Sequence, residues 1–338
     1  MRTSDFDFDL PRDLIAQAPA DPRDSSRLLR LDRETGSTSH HQFSDLRELL
    51  RPGDLLVVND TRVMAARLYG RRDETGGRIE VLLLVRQTRR DWEVMMRPAR
   101  QAVVGRRFTF EATDGSLLAT VQGRTASTAV LTFDREFDPA TVGQVPLPPY
   151  IDSYHGDPER YQTVYSTEAA SAAAPTAGLH FTPGLLSDLR GIGIEQVAVT
   201  LHVGPGTFKP VTVDDPRDHQ LHEELIHVPE ATALAVSAAR SEGRRIIAVG
   251  TTVVRTLEHV VRERGQVEPY AGPTSLRILP GDRFLAVDGL ITNFHLPRST
   301  LVMLVAAFAG TESVLNAYSE AIRERYRFYS FGDAMLIL

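Results

Sequence analysis

The 338-residue chain reads as an α/β fold interrupted by a small all-β domain, and three observations predict it. From residue 150 onward, apolar strand-like runs alternate with helical patterns. Between Arg67 and about Phe137 the pattern changes to short strands separated by Gly, Asp and Thr, the spacing of a small barrel or sandwich. A proline-rich hinge, Pro146-Leu-Pro-Pro149, then closes that stretch. The division is a discontinuous main domain of residues 1–65 and 150–338 and an inserted domain of residues 66–149.

Taken in order, residues 1 to about 65 mix short strands with one helix, which Ser44 is placed to cap and the Pro52-Gly53 turn to end. The strand Leu55 to Val58 delivers Asn59, Asp60 and Arg62. In the inserted domain the strands are Arg78 to Val85, Trp92 to Met96, Arg107 to Phe110, Leu117 to Gln122 and Ala129 to Phe133. Thr182-Pro183 starts a helix by the cap-plus-proline rule and Gly191 stops it. The strands Ile194 to Val203, Arg245 to Val249 and Leu290 to His295 carry loops to their C-terminal ends, where open α/β sheets build sites. A helix follows Gly250, with Thr251 or Thr252 as its N-cap, and Ser299 caps the apolar helix Leu301 to Ala309.

Four of these loops combine small residues with groups that bond or move protons. The first is Pro175-Thr176-Ala-Gly178-Leu-His180, and the second is His202-Val-Gly204-Pro-Gly206-Thr207. The third is Gly250-Thr251-Thr252-Val-Val-Arg255, and the fourth is Thr292-Asn293-Phe-His295. Glycine lets backbone approach a ligand closely. A helix N-terminus is a ready anion site, and Arg255, one turn in, suits a carboxylate or phosphate. A structural turn needs the glycines but not His and Thr beside them.

With these loops and others in fixed order, the chain resembles the S-adenosylmethionine:tRNA ribosyltransferase-isomerase family of queuosine biosynthesis. The resemblance runs nearly end to end. It includes Asp5-Phe-Asp-Phe-Asp-Leu-Pro11, Asp24-Ser-Ser-Arg27, Asn59-Asp60-Thr61-Arg62-Val63, Pro146-Leu-Pro-Pro-Tyr-Ile151, Glu159-Arg-Tyr161-Gln162 and Arg327-Phe-Tyr-Ser-Phe-Gly-Asp333. It implies a mixed, barrel-like α/β main domain with the β domain inserted. It further implies that S-adenosylmethionine, a consumed co-substrate rather than a cofactor, donates its ribosyl group. The acceptor is the 7-aminomethyl-7-deazaguanine at a tRNA wobble position, the product is epoxyqueuosine, and adenine and methionine leave. The family suggests a monomer with no obligate protein partner. The sequence departs from the family at Gly272 to Pro280, where members often carry an aromatic and acidic stretch.

That reaction needs a base for the carbon next to the sulfonium, which histidine suits. His202 ranks first and His180 second, with His295 as a third proton mover. Asn59, Asp60 and Arg62 suit the ribose or base. Thr176, Gly178, Gly204, Gly206, Thr207 and Asn293 complete the candidate substrate contacts. Thr251, Thr252 and Arg255 suit the methionine carboxylate or a tRNA phosphate.

Composition sets limits. The chain has no cysteine, which excludes thiolate nucleophiles, disulfides and iron–sulfur clusters. Its N-terminus lacks a signal peptide's apolar region and its longest helical apolar run is too short to cross a bilayer, so a cytoplasmic protein with no membrane partner is expected. The formal charge is −6, yet the stretch from Arg67 to Pro149 holds 13 Arg against 10 acids. Arg89, Arg90, Arg106 and Arg107 are the expected tRNA contacts, because a local basic patch sets nucleic-acid docking. Rival readings fit less well, and no G-x-G-x-x-G follows a strand to suggest a dinucleotide enzyme. In His219-Gln-Leu-His222-Glu223-Glu224-Leu-Ile-His227 the last two histidines are five apart, not the four of a helical zinc motif, so no metal is assigned. A non-catalytic tRNA-binding protein explains the arginines but not the four loops.

Overall fold

The computed structural model describes residues 1–125, 127–148, 150–151, 154–204 and 211–338. In chain order the elements are β1 (Arg27–Leu31), β2 (Thr38–Gln42), α1 (Leu46–Leu49), β3 (Leu55–Asn59) and the short β4 (Thr61–Val63). Then come β5 (Arg67–Arg72), β6 (Arg78–Arg86), β7 (Asp91–Arg97), β8 (Arg107–Ala112), β9 (Gly115–Arg124) and β10 (Ala129–Phe133). After β11 (Glu168–Ser171) follow α2 (Pro183–Gly191), β12 (Glu195–Leu201), β13 (Glu224–Val228), α3 (Glu230–Ser241) and β14 (Ile246–Val249). The chain closes with α4 (Thr251–Arg264), β15 (Tyr270–Thr274), β16 (Gly289–Asn293), α5 (Thr300–Ala309), α6 (Thr311–Arg323) and β17 (Ala334–Ile337).

The chain divides into two compact units, one of Met1–Arg62, Pro149–Glu168 and Ala174–Leu338, the other of Val63–Pro148 and Ala169–Ala173. Among the described residues of the larger unit, nine strands form a mixed sheet in the order β15-β13-β12-β3-β14-β16-β17-β1-β2. Its centre, β12-β3-β14-β16, is parallel throughout. Strands of a parallel sheet covered on both faces become continuous apolar runs. Accordingly every residue of Leu55–Asn59, Ile246–Val249 and Gly289–Asn293 is buried. Leu56, Val58, Ile247, Val249 and Ile291 pack with Phe43, Phe181, Leu185 and Leu189 in one core. The parallel run matters for function because it brings the C-terminal ends of four strands to one edge of the sheet.

In the smaller unit β10-β7-β6-β5-β8-β9 close into a barrel, which decides between the barrel and sandwich that spacing alone leaves open. Alternation does the packing. Leu68, Val81, Leu83, Val94, Phe108, Phe110, Leu131 and Phe133 point inward, and the residues between them face out. The mixed α/β class with a small all-β barrel is as expected.

Two helix starts follow the sequence and two do not. Thr182 accepts from the Leu185 N–H at 3.0 Å with Pro183 behind it, and Ser299 accepts from Val302 at 3.3 Å. Ser44 is not a cap. It lies inside the 3₁₀ turn Phe43–Asp45, where the Asp45 carboxylate instead takes the Gln42 N–H at 2.9 Å. Neither Thr251 nor Thr252 caps α4. Gly250 holds that position at φ +93°, a left-handed backbone that glycine adopts without a Cβ penalty. Its N–H is spent on the Ile291 carbonyl at 2.7 Å, which ties the turn after β14 to β16.

Candidate active site

The ends of β3 and β12 are stapled by Asn59. Its buried amide donates to the Leu201 carbonyl at 3.1 Å, and its Oδ1 accepts from the N–H groups of Leu201 and Thr61, both at 3.1 Å. Asn59 is therefore spent on the scaffold. The staple fixes the next residues: Asp60 accepts from the Thr200 hydroxyl at 2.7 Å, and Thr61 Oγ1 lies 2.8 Å from His202 Nδ1. His202 is half-buried. Its Nε2 makes no hydrogen bond among the described residues. Burial pushes its pKa below the ordinary value, partly opposed by Glu168 and Asp60. A neutral imidazole with one nitrogen anchored and the other open is the form a general base requires. Arg62, on the same turn, reaches Ser166 at 3.1 Å and pairs with Glu159.

The other two candidate histidines differ. His180 is buried and satisfied at both ring nitrogens. Asn293 Nδ2 donates to Nε2 at 3.1 Å, so Nδ1–H donates to Ser26 Oγ at 2.7 Å. The ring also stacks on Phe43, with centroids 4.9 Å apart. Burial pulls its pKa to about 4. His295 is buried, with Nε2 at 2.9 Å from the Thr292 hydroxyl, and burial pulls its pKa to about 3. Neither is placed as His202 is. His180 and Asn293 form a strut that joins the 3₁₀ turn Thr176–His180 to the end of β16.

Gly178 sits in that turn for a steric reason. A Cβ there would fall 2.1 Å from Tyr165 Oη and 2.8 Å from Thr163 Cγ2. The close approach is to protein, not to ligand. Around it, Tyr165 Oη, Thr163 Oγ1, Thr252 Oγ1 and Asn293 Oδ1 are buried without hydrogen-bond partners. Such atoms are rare in native interiors. Thr176 begins the same turn, and Ala177 abuts Gly250. Thr176, Thr252 and Asn293 thus gather at the ends of β14 and β16, while Asn59, Asp60, Arg62 and His202 gather at the ends of β3 and β12. Thr251 is buried at the start of α4. Gly206 and Thr207 lie outside the described residues.

Arg255 is not an open clamp. It is buried in α4, where Nε donates to the Leu276 carbonyl at 2.9 Å and Nη1 pairs with Glu224, whose other oxygen takes the Gly204 N–H at 3.1 Å. Sequence reasoning missed Glu224, which it weighed only within a metal motif. It also missed Thr61 as the partner of His202, although Thr61 stands inside the Asn59–Arg62 segment that drew attention.

The four barrel arginines do not make one patch. Arg107 pairs across to Thr120, Thr120 to Thr132, and Thr132 to Asp91. Arg90 and Arg107 therefore start strands three apart in a six-stranded barrel, on opposite sides of it. Arg107 is neutralised by Asp73 at 3.3 Å, and Arg106 is held by Gln101 at 2.9 Å. Arg89 and Arg90 are exposed; the Arg89 carbonyl accepts from the Arg86 guanidinium, and the Arg90 guanidinium reaches the Asp134 carbonyl at 3.5 Å.

Comparison with known proteins agrees with this architecture. A family profile described as queuosine biosynthesis protein matches residues 3–337. The S-adenosylmethionine:tRNA ribosyltransferase-isomerase of Symbiobacterium thermophilum is 54% identical over 343 residues, covering 100% of both chains. That of Staphylococcus aureus strain JH9 is 49% identical over 345 residues, again with 100% of both covered. A crystal structure of S-adenosylmethionine tRNA ribosyltransferase from Thermotoga maritima superposes with a TM-score of 0.59 at 40% identity, covering 99% of this chain and 100% of that one.

Proposed function

The chain belongs to the queuosine biosynthesis protein family, and from that premise we propose how its site serves as an S-adenosylmethionine:tRNA ribosyltransferase-isomerase. The ribosyl group of S-adenosylmethionine passes to the aminomethyl group of a 7-deazaguanine at the tRNA wobble position, and adenine and methionine leave. The observation that carries the reading of the site is the Thr61–His202 pair at the joined ends of β3 and β12. With Nδ1–H donated to Thr61, His202 Nε2 is the unprotonated nitrogen and takes the proton from the carbon next to the sulfonium. Thr61 is a positioning residue, since it acts through the ring. A positioned base of this kind contributes roughly 10² to 10⁴-fold. Asp60 and Arg62, beside it, serve the ribose or the acceptor base. The unpartnered hydroxyls of Tyr165, Thr163 and Thr252 and the Asn293 carbonyl offer polar partners to the same substrates. His180 and His295 hold the scaffold of this site, and His202 alone of the three moves protons. A non-catalytic tRNA-binding role is not favoured, because the family relatives are named as transferases.

Isotope tracing tests the reading. S-adenosylmethionine carrying label in the ribosyl carbons should pass it to tRNA, whereas label in the methyl group should leave with methionine. Methyl label in tRNA, or no transfer of either, would refute ribosyl transfer.

A further inference from the structure

Resting on the reading above, we propose that the cavity beside Arg255 receives the methionine end of S-adenosylmethionine, its carboxylate held by Arg255 and Arg277. The cavity is lined by Gly204, Arg255, Leu276, Arg277, Ile278 and Leu304 among others. Arg255 is 8% exposed. Nε and Nη1 are engaged by Leu276 and Glu224, but Nη2 is buried with no hydrogen-bond partner. A buried charged donor left unmet is costly. A carboxylate can take a charge-assisted bond from Nη2 with one oxygen and from Arg277 with the other.

Charge points the same way. The Glu224 carboxylate offsets Arg255, and Arg277 brings a second cation. Its Nη1 donates to the His219 carbonyl, and it forms no ion pair among the described residues. His219, on the same wall, is held below its ordinary pKa by burial first and then by the Arg277 charge. Among the described residues the cavity holds two guanidinium groups against one carboxylate, a net attraction for an anion.

The walls decide which anion. Leu276, Ile278, Leu301 and Leu304 are aliphatic. A phosphate of tRNA has nothing to place against them, whereas methionine has its α-carbon, two methylenes and sulfur between its carboxylate and the reacting carbon. Chain position agrees as well. Gly204 lines the cavity and stands two residues beyond His202, about 7 Å along extended chain. The five bonds from an amino-acid carboxylate carbon through sulfur to the next carbon span about 6 Å end to end when extended, so a donor held in this cavity reaches toward the segment that carries His202. The segment Leu276–Ile278, where the sequence departs from its family, would then form one wall of the donor site.

Calorimetric titration without tRNA tests the assignment, using S-adenosylmethionine and its decarboxylated analogue as ligands. The protein as it stands should bind the analogue about tenfold or more weakly, the worth of a charge-assisted hydrogen bond. Arg277→Gln should weaken S-adenosylmethionine by about that factor and leave the analogue within about twofold, which removes the preference. Arg277 is half-buried, so this variant should fold. Leu276→Phe, which narrows the cavity, should weaken both ligands and leave tRNA affinity unchanged. Equal effects of Arg277→Gln on both ligands, no effect on either, or loss of tRNA affinity instead would overturn the assignment. Since no turnover is needed, failure of the reaction and failure of the cavity assignment read out separately.

Discussion

Thr61→Val removes the hydroxyl that orients His202 and little else. Thr61 is fully buried, its side-chain hydrogen bond is the 2.8 Å contact to His202 Nδ1, and its backbone N–H stays on Asn59. Valine keeps the shape, so the fold should lose little. The freed Nδ1 belongs to a half-buried ring that water can reach. The loss is therefore one hydrogen bond, about 1 kcal/mol. If that bond matters in the transition state, kcat falls about five- to tenfold while the KM for S-adenosylmethionine holds. Thr61→Ser, which keeps the hydroxyl, should retain most of the rate. The assay is initial adenine release at saturating S-adenosylmethionine and tRNA, with Tm recorded for each variant. A Thr61→Val protein with unchanged Tm, unchanged kcat and an unchanged pH profile would refute the positioning role.

Four further outcomes are expected. A base works unprotonated, so activity should be lost as pH falls through the lowered His202 pKa; the acid limb of kcat should lie below pH 6.5, and a midpoint above it contradicts the assignment. His180 has a folded pKa of about 4 against the ordinary 6.5, so the unfolded chain binds the proton first. The stability this gives is complete above pH 6.5 and is lost as pH falls toward 4, roughly 3 kcal/mol in all; Tm between pH 7 and 4 should fall less steeply in His180→Gln. Gly178→Ala should cost about 1–3 kcal/mol by overpacking against Tyr165, read as a drop in Tm, and an unchanged Tm would mean that the ring yields freely. Arg89→Glu with Arg90→Glu should weaken tRNA binding and reduce its salt slope by about two, whereas Arg107→Glu, already neutralised by Asp73, should do less; equal effects would restore a single patch.

Much of this was legible in the chain. Thr182-Pro183 and Ser299 carry local signals that tertiary structure did not need to override, and the strands of the barrel alternate clearly enough to be placed. The loops after β12, β14 and β16 were found because strand ends, glycines and His or Thr coincide there. What could not be read was the ranking of like residues by environment. His180, His202 and His295 look equivalent in sequence. Ser26 and Asn293 close around the first, and Thr292 with the Tyr318 hydroxyl around the third, which accepts the His295 N–H at 3.0 Å. The partners of His180 come from distant segments, 154 residues away for Ser26 and 113 for Asn293. The ion pair of Arg255 was hidden the same way, since its partner Glu224 lies on a strand 31 residues earlier. The arginine cluster divides into two pairs because barrel closure sends Arg90 and Arg107 to opposite sides.

The most direct measurement is a side-by-side incubation of the protein and His202→Ala with S-adenosylmethionine and tRNA bearing 7-aminomethyl-7-deazaguanine, following adenine, methionine and tRNA mass. The unaltered protein should release adenine and methionine in equal amounts and add the matching ribosyl-derived mass to tRNA. His202→Ala should bind both substrates yet lose roughly 10² or more in rate. Near-normal turnover by His202→Ala would contradict the assignment of the base, and no release by the unaltered protein despite binding both substrates would contradict the reaction itself.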